Sequence, residues 1–161
     1  MADAQAIFDT HRDSVYGLCS GAYTETQLQV WFEGRTPEMY RSAIEGRQVW
    51  LVERDGRVLG FVGFVPGEVT LLFVRHDAAG IGLGKRLFAF GLEIAEAGFD
   101  GPLTVVATRN SQRFYQAHGF AAVESQTFVR GQPEQHFEVV KMQRPPGVTL
   151  QIERTAMETA R

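Results

Sequence analysis

Hydrophobic positions recur along this chain with two different periods. Ile7, Phe8, Val15 and Leu18 are spaced for one face of a helix from Ala4 to about Cys19, and Thr24 opens a second helix carrying Leu28, Trp31 and Phe32. Thr36-Pro37-Glu38 opens a third, with Thr36 as N-cap and Pro37 at the first helical position. The period then shortens. Val49 to Glu53 and Val58 to Val65 flank Asp55-Gly56, the favoured pair for a tight hairpin turn, and Pro66-Gly67 separates them from the apolar run Val69 to Val74. Leu83, Leu87, Phe90 and Ile94 restore helical spacing, which Gly98 closes. Leu103 to Ala107 reads as a strand after Gly101-Pro102, and Ser111 to Ala117 as a short helix stopped before Gly119. Ala121 to Arg130 and His136 to Gln143 alternate as a terminal antiparallel pair joined around Gly131-Gln132-Pro133. These elements predict an α/β (α+β) fold, a mixed sheet flanked by helices.

Between the run Val69 to Val74 and the amphipathic helix lies Ala79-Gly80-Ile81-Gly82-Leu83-Gly84-Lys85. Alternating glycines let backbone amides approach a ligand, and the helix that follows turns its positive dipole end to the same place. An anion is the natural occupant. Lys85 and Arg86 strengthen this, because cations in a first helical turn oppose the dipole unless a bound polyphosphate reverses the sign. A P-loop is excluded: it needs glycine where Ala79 stands and Ser or Thr where Arg86 stands. A dinucleotide fingerprint anchored at Gly80 and Gly82 needs a third glycine at the position of Lys85.

What remains, Gly-x-Gly preceded by a further glycine, resembles the pyrophosphate-binding loop of the GNAT superfamily of acyl-CoA N-acyltransferases. A second stretch, Thr108-Arg-Asn-Ser-Gln-Arg-Phe-Tyr-Gln-Ala-His-Gly-Phe120, is similar to the family's other signature, and the two stand in the family's order and spacing. The departure is Ala79, where the family usually places Gln or Arg. The resemblance covers most of the chain and implies a mostly antiparallel sheet whose fourth and fifth strands, in the family's count, splay apart. It also implies an N-acetyltransferase that moves an acetyl group from acetyl-CoA, as co-substrate, to the primary amine of a small molecule by direct transfer through a tetrahedral intermediate. No metal is expected. The alternative is a catalytically inactive acyl-CoA-binding sensor or regulatory module.

Carried over residue by residue, the family pattern makes Leu72, Phe73 and Val74 the backbone that meets the pantetheine arm. Ala79, Gly80, Ile81, Gly82, Leu83, Gly84 and Lys85 become the pyrophosphate loop. Asn110 matches the signature asparagine beside the cofactor arm, and could equally cap the following short helix. Tyr115 matches the tyrosine that points at the thioester sulfur; with an ordinary pKa of about 10 it is protonated at neutral pH and can act as general acid. Glu68 stands where some members place a catalytic glutamate, though after Pro66-Gly67 it also reads as an exposed turn residue. The early helices and last hairpin border the acceptor pocket in many members, which marks Trp31, Phe32, Met39, Tyr40, His136 and Glu138 as candidates; for the four on the early helices a core role is the plainer reading.

Members of the family usually begin with a strand that this chain lacks. Val148 to Arg154 alternate like a strand after Pro145-Pro146-Gly147 and resemble that opening one. We expect this segment to fill the vacant edge beside Val49 to Glu53, within one chain or by exchange in a homodimer, because an open edge leaves backbone groups unpaired; the alternative reading of 148–161 is a disordered tail.

Composition narrows the rest. At 161 residues the chain fits one domain, 1–161, able to bury a continuous core. A formal charge of −3 with interspersed signs suggests no nucleic-acid surface. The N-terminus lacks signal-peptide features and the apolar stretches are too short to span a bilayer, so a cytoplasmic protein without membrane partners is expected. Cys19 is the only cysteine, which excludes an internal disulfide and reads as a buried apolar position. His76 and His118 read as loop and surface residues, and the scattered histidines argue against a metal site. No Gly-x-Ser-x-Gly elbow supports a serine hydrolase.

Overall fold

The structure is a computed structural model and describes residues 2–147. Its elements are α1 (Ala2–Leu18), α2 (Glu25–Trp31), a 3-10 turn (Pro37–Tyr40) running into α3 (Arg41–Glu45), β1 (Val49–Arg54), β2 (Arg57–Val65), β3 (Glu68–Val74), a second 3-10 turn (His76–Ala78), α4 (Leu83–Glu96), β4 (Leu103–Thr108), α5 (Gln112–Gln116), β5 (Ala121–Arg130) and β6 (Gln135–Arg144). α2 starts on a full capping box: Thr24 Oγ1 accepts from the Gln27 amide and Gln27 Oε1 accepts from the Thr24 amide. Thr36 does not repeat this. Its side chain makes no capping hydrogen bond, and the expected third helix is a 3-10 turn followed by a short α-helix.

The six strands form one sheet in the order β1-β2-β3-β4-β6-β5, antiparallel throughout except where β3 meets β4. That parallel pair is joined only through Glu68 with Thr104 and Val69 with Val105. On its other side β3 stays paired to β2 as far as Val74 opposite Gly60, and β4 stays paired to β6 as far as Thr108 opposite Val139. Both strands are therefore held along their outer edges while their inner edges part, so the opening belongs to the sheet as a whole.

Helices cover both faces. α4 packs Leu87, Phe88 and Leu92 onto Val62, Val69 and Val74, joined by Leu103, Phe120 and Met142. Gly91 permits that approach, since a Cβ there would come within 2.5 Å of a Val62 methyl. α1 and α2 cover the opposite face, where Ile7, Tyr40 and Phe61 form one cluster and Val15, Cys19, Trp31 and Phe137 another. Burying each such large side chain stabilises the fold by roughly 1.5–3 kcal/mol. β1 is an edge strand, paired to β2 alone among the described residues. The expected occupant of that edge, 148–154, lies outside the described residues.

Candidate active site

The glycine loop has the geometry its sequence demands. Gly80 and Gly82 take φ of 80° and 82°, in the left-handed region that favours glycine, and a Cβ at either would meet nothing within 4 Å. Gly82 is also the N-cap of α4, and having no side chain it cannot cap the helix itself. The first backbone donor into the helix is Arg86, bonded to the Gly82 carbonyl at 3.1 Å. The amides of Leu83, Gly84 and Lys85 come before it, at the positive end of a 14-residue helix. These groups fit a pyrophosphate. Ile81 is 68% exposed and Lys85 lies on the surface, whereas the Leu83 side chain is buried in the core, so only its backbone faces the loop. Ala79, where a longer polar side chain was expected, is extended. Gly82→Ala is expected to destabilise the fold by about 1 kcal/mol through the left-handed backbone, an effect thermal unfolding reads.

The loop's entrance is tied to α1. Asp13 accepts from the His76 amide at 2.8 Å, sits 3.0 Å from His76 Nδ1, and pairs with the Arg75 guanidinium at 2.8 Å. Burial pushes the Asp13 carboxyl up, but the His76 amide, the His76 ring and Arg75 together outweigh this and hold it below its ordinary value. Ligating atoms of Asp13, His76 and Asp77 lie within 4.8 Å of one another, a grouping the spacing of the histidines did not suggest. Arg75 and Arg57 already occupy those carboxylates, and the cluster is an ion-pair network.

Where β3 and β4 part, a cavity of about 350 Å³ passes between them. Leu72, Phe73 and Val74 line it from β3, Gly84 from the start of α4, and Val106 and Thr108 from β4. Backbone groups of β3 beyond Val69 have no strand partner on this side. Tyr115 lines the wedge, boxed by the rings of Phe88, Phe114 and Phe120. Its hydroxyl carries no hydrogen bond to a described residue, and burial pushes its pKa up to about 12. It stays protonated at physiological pH.

Asn110 also lines the cavity, in a role between the two foreseen. It does not cap α5. Its Nδ2 donates to the Leu18 carbonyl at 3.2 Å and to Cys19 Sγ at 3.6 Å, while its Oδ1 accepts from Thr108 Oγ1 at 2.9 Å. It thus caps the end of α1 and fixes the loop after β4 against it. Trp31 is both core and wall: 8% exposed, edge-on to Tyr23, Phe128 and Phe137, and open to the cavity.

Six other candidates lie elsewhere. Phe32, one residue and about 100° further round the helix, leaves the cavity and packs on Phe8, His11 and Tyr16. Tyr40 is buried against Phe61, its hydroxyl 2.7 Å from His11 Nδ1. His136 is exposed, because strand alternation turns Phe137 inward and its neighbours His136 and Glu138 outward. Glu138 is held by Arg109 at the surface, and Met39 is exposed. Glu68 sits at the closed end of the opening, paired with Val65 and Thr104, and is absent from the cavity lining.

Sequence reasoning passed over Ser14, Phe128 and Val139, which line the cavity, and placed Cys19 only in the core. The alternation of β5 and β6 marks Phe128 and Val139 as inward positions, and Ser14 lies on the buried stripe of α1 between His11 and Val15.

A parallel strand pair that parts beside a glycine loop, with a helix N-terminus below and a buried tyrosine in the wedge, is the architecture of an acyl-CoA-dependent acyltransferase. The sequence matches the family model of the acetyltransferase (GNAT) domain over residues 19–142, and the chain belongs to that family. Among solved structures it is similar to a GCN5-related N-acetyltransferase from Rhodopseudomonas palustris, with a TM-score of 0.81, 21% identity, and 89% of this chain and 90% of that one covered. The PaiA N-acetyltransferase from Thermoplasma acidophilum, solved with coenzyme A, aligns with a TM-score of 0.68 and 16% identity over 89% and 93% of the two chains. The ribosomal-protein-alanine N-acetyltransferase from Brucella melitensis aligns with a TM-score of 0.64 and 20% identity over 89% and 94%. At these identities the likeness is one of fold. Comparison with curated proteins finds no match.

Proposed function

We propose that the protein transfers an acetyl group from acetyl-CoA to a primary amine of a small molecule. The observation that carries this is the parting of β3 and β4 after Val69 and Val105, directly beside the open amides of the Gly82–Lys85 turn. In this reading the loop amides hold the pyrophosphate and the unpaired β3 edge from Leu72 to Val74 binds the pantetheine arm and polarises the thioester carbonyl. The amine lone pair attacks the carbonyl carbon, the C–N bond forms and the C–S bond breaks. Tyr115 gives its proton to the departing thiolate. Among the described residues no carboxylate or imidazole lines the cavity, so in this reading the proton leaving the amine passes to water, and Glu68 acts at most through a water chain.

Calorimetric titration with acetyl-CoA, followed by a thiol-release assay with amines, tests the reading. Saturable binding with thiol release supports it. Binding without release by any amine would favour the sensor alternative, and no binding at millimolar acetyl-CoA would sink both.

A further inference from the structure

The cavity between β3 and β4 continues onto the α1/α2 face of the sheet, away from α4. There its walls are Leu18 and Cys19 from α1, Trp31 at the end of α2, Phe73 from β3, Phe128 from β5 and Val139 from β6. Among the described residues, no Asp, Glu, Lys, Arg or His lines any part of it. On β6 the charge follows the alternation outward: Glu138 beside Val139 turns to the surface and pairs with Arg109. A second ammonium or a carboxylate on the acceptor would enter this space without a counter-charge, and desolvating an unpaired ion is strongly unfavourable. A flat apolar ring meets instead the edges and faces of Trp31, Phe73 and Phe128.

Ser14 brings an unspent polar side chain to this face. Ser14 is 5% exposed, lines the cavity, and makes no hydrogen bond to a described residue. Thr108, Asn110 and Ser111 are by contrast bonded to one another or to the backbone. Ser14 Oγ is a neutral acceptor for an amine N–H, suited to a nucleophile that must be uncharged to react.

We propose that the acceptor is a primary amine on an apolar, ring-bearing body with no second charge, an arylalkylamine in chemical class, seated against Trp31, Phe73 and Phe128 with its nitrogen near Ser14. This rests on the acyltransferase reading above and specifies its substrate. The test uses a matched set: 2-phenylethylamine, phenylalanine, which adds a carboxylate to the same frame, and spermidine, which adds positive charges. Two readouts are taken. Thiol release from acetyl-CoA gives kcat/KM for each amine. In a Trp50→Phe variant Trp31 is the sole tryptophan, and its fluorescence in the presence of CoA reports occupancy of the apolar face without requiring turnover.

The expected result is saturable perturbation of Trp31 by 2-phenylethylamine, with kcat/KM at least 100-fold above that for phenylalanine and spermidine, and a drop of about tenfold in Ser14→Ala. Equal or better use of phenylalanine or spermidine would overturn the proposal. So would a Trp31 response to octanoyl-CoA and not to 2-phenylethylamine, which would give the apolar face to a longer acyl chain. A Trp31 response to 2-phenylethylamine without thiol release would leave the pocket assignment standing and count against the transfer reaction.

Discussion

Tyr115→Phe is expected to lower kcat by about 100-fold while changing acetyl-CoA affinity little. The tyrosine ring is boxed by Phe88, Phe114 and Phe120, so phenylalanine fills the same space, and the lost hydroxyl leaves no protein group without a partner. Removing a positioned general acid costs about 10²–10⁴ in rate, and protonation of the thiolate by water sets the lower end of that range. Because burial pushes the tyrosine up to about 12, the wild-type rate should show no alkaline fall from this group until well above pH 10. Thiol-release kinetics across pH, with calorimetry for binding, check both statements. An unchanged kcat in the variant would remove Tyr115 from the chemistry and leave it a packing residue.

The second large effect concerns acid. His11 is 2% exposed, its ring 3.8 Å from that of Phe73 and its Nδ1 on the Tyr40 hydroxyl, while its Nε2 has no partner. Burial, with a smaller contribution from the Arg35 charge, pulls its pKa from 6.5 to about 3. The folded state therefore holds a neutral imidazole and the unfolded chain a normal one. Stability is full above pH 6.5 and falls as pH drops toward 3, because the unfolded state takes up the proton first. The slope approaches 1.4 kcal/mol per pH unit, so between pH 6.5 and 4.5 the loss is about 2 kcal/mol, or roughly 4–8 °C in Tm. Asp13, held below 3.8, loses its ion pairs only at lower pH, so the window belongs to His11. Thermal unfolding at several pH values measures the slope. His11→Phe, less stable at pH 7 because the Tyr40 hydroxyl loses its bond to the imidazole, should flatten it; a variant with an undiminished slope would assign the effect elsewhere.

The legible parts of this molecule were those where local chemistry and tertiary demand coincide. Gly80 and Gly82 adopt left-handed backbone that few other residues tolerate, so their purpose shows in the letters. The Asp55-Gly56 turn, the Thr24 to Gln27 capping box and the stripe of α4 are likewise determined within a few residues of chain. Trp31 against Phe32 shows the limit. Both are large aromatic residues at the end of α2, and only the angle at which that helix lies on the sheet turns one into the cavity and the other toward Tyr16. Asn110 shows it differently, since the carbonyl it serves, Leu18, lies 92 residues away.

Sequence by itself determined the order of most helices and strands and the glycine loop with its left-handed Gly80 and Gly82, because each rests on spacing or on a residue type that one backbone conformation requires. Only the tertiary structure decided that β3 and β4 are pinned at Glu68 and Val69 and part beyond, that Ser14, Cys19, Phe128 and Val139 meet there, and that every charged side chain of the described residues stays out of the cavity lining. Those outcomes depend on which strands pair along their outer edges and how the helices lie across them, and such long-range contacts leave no local trace in the chain.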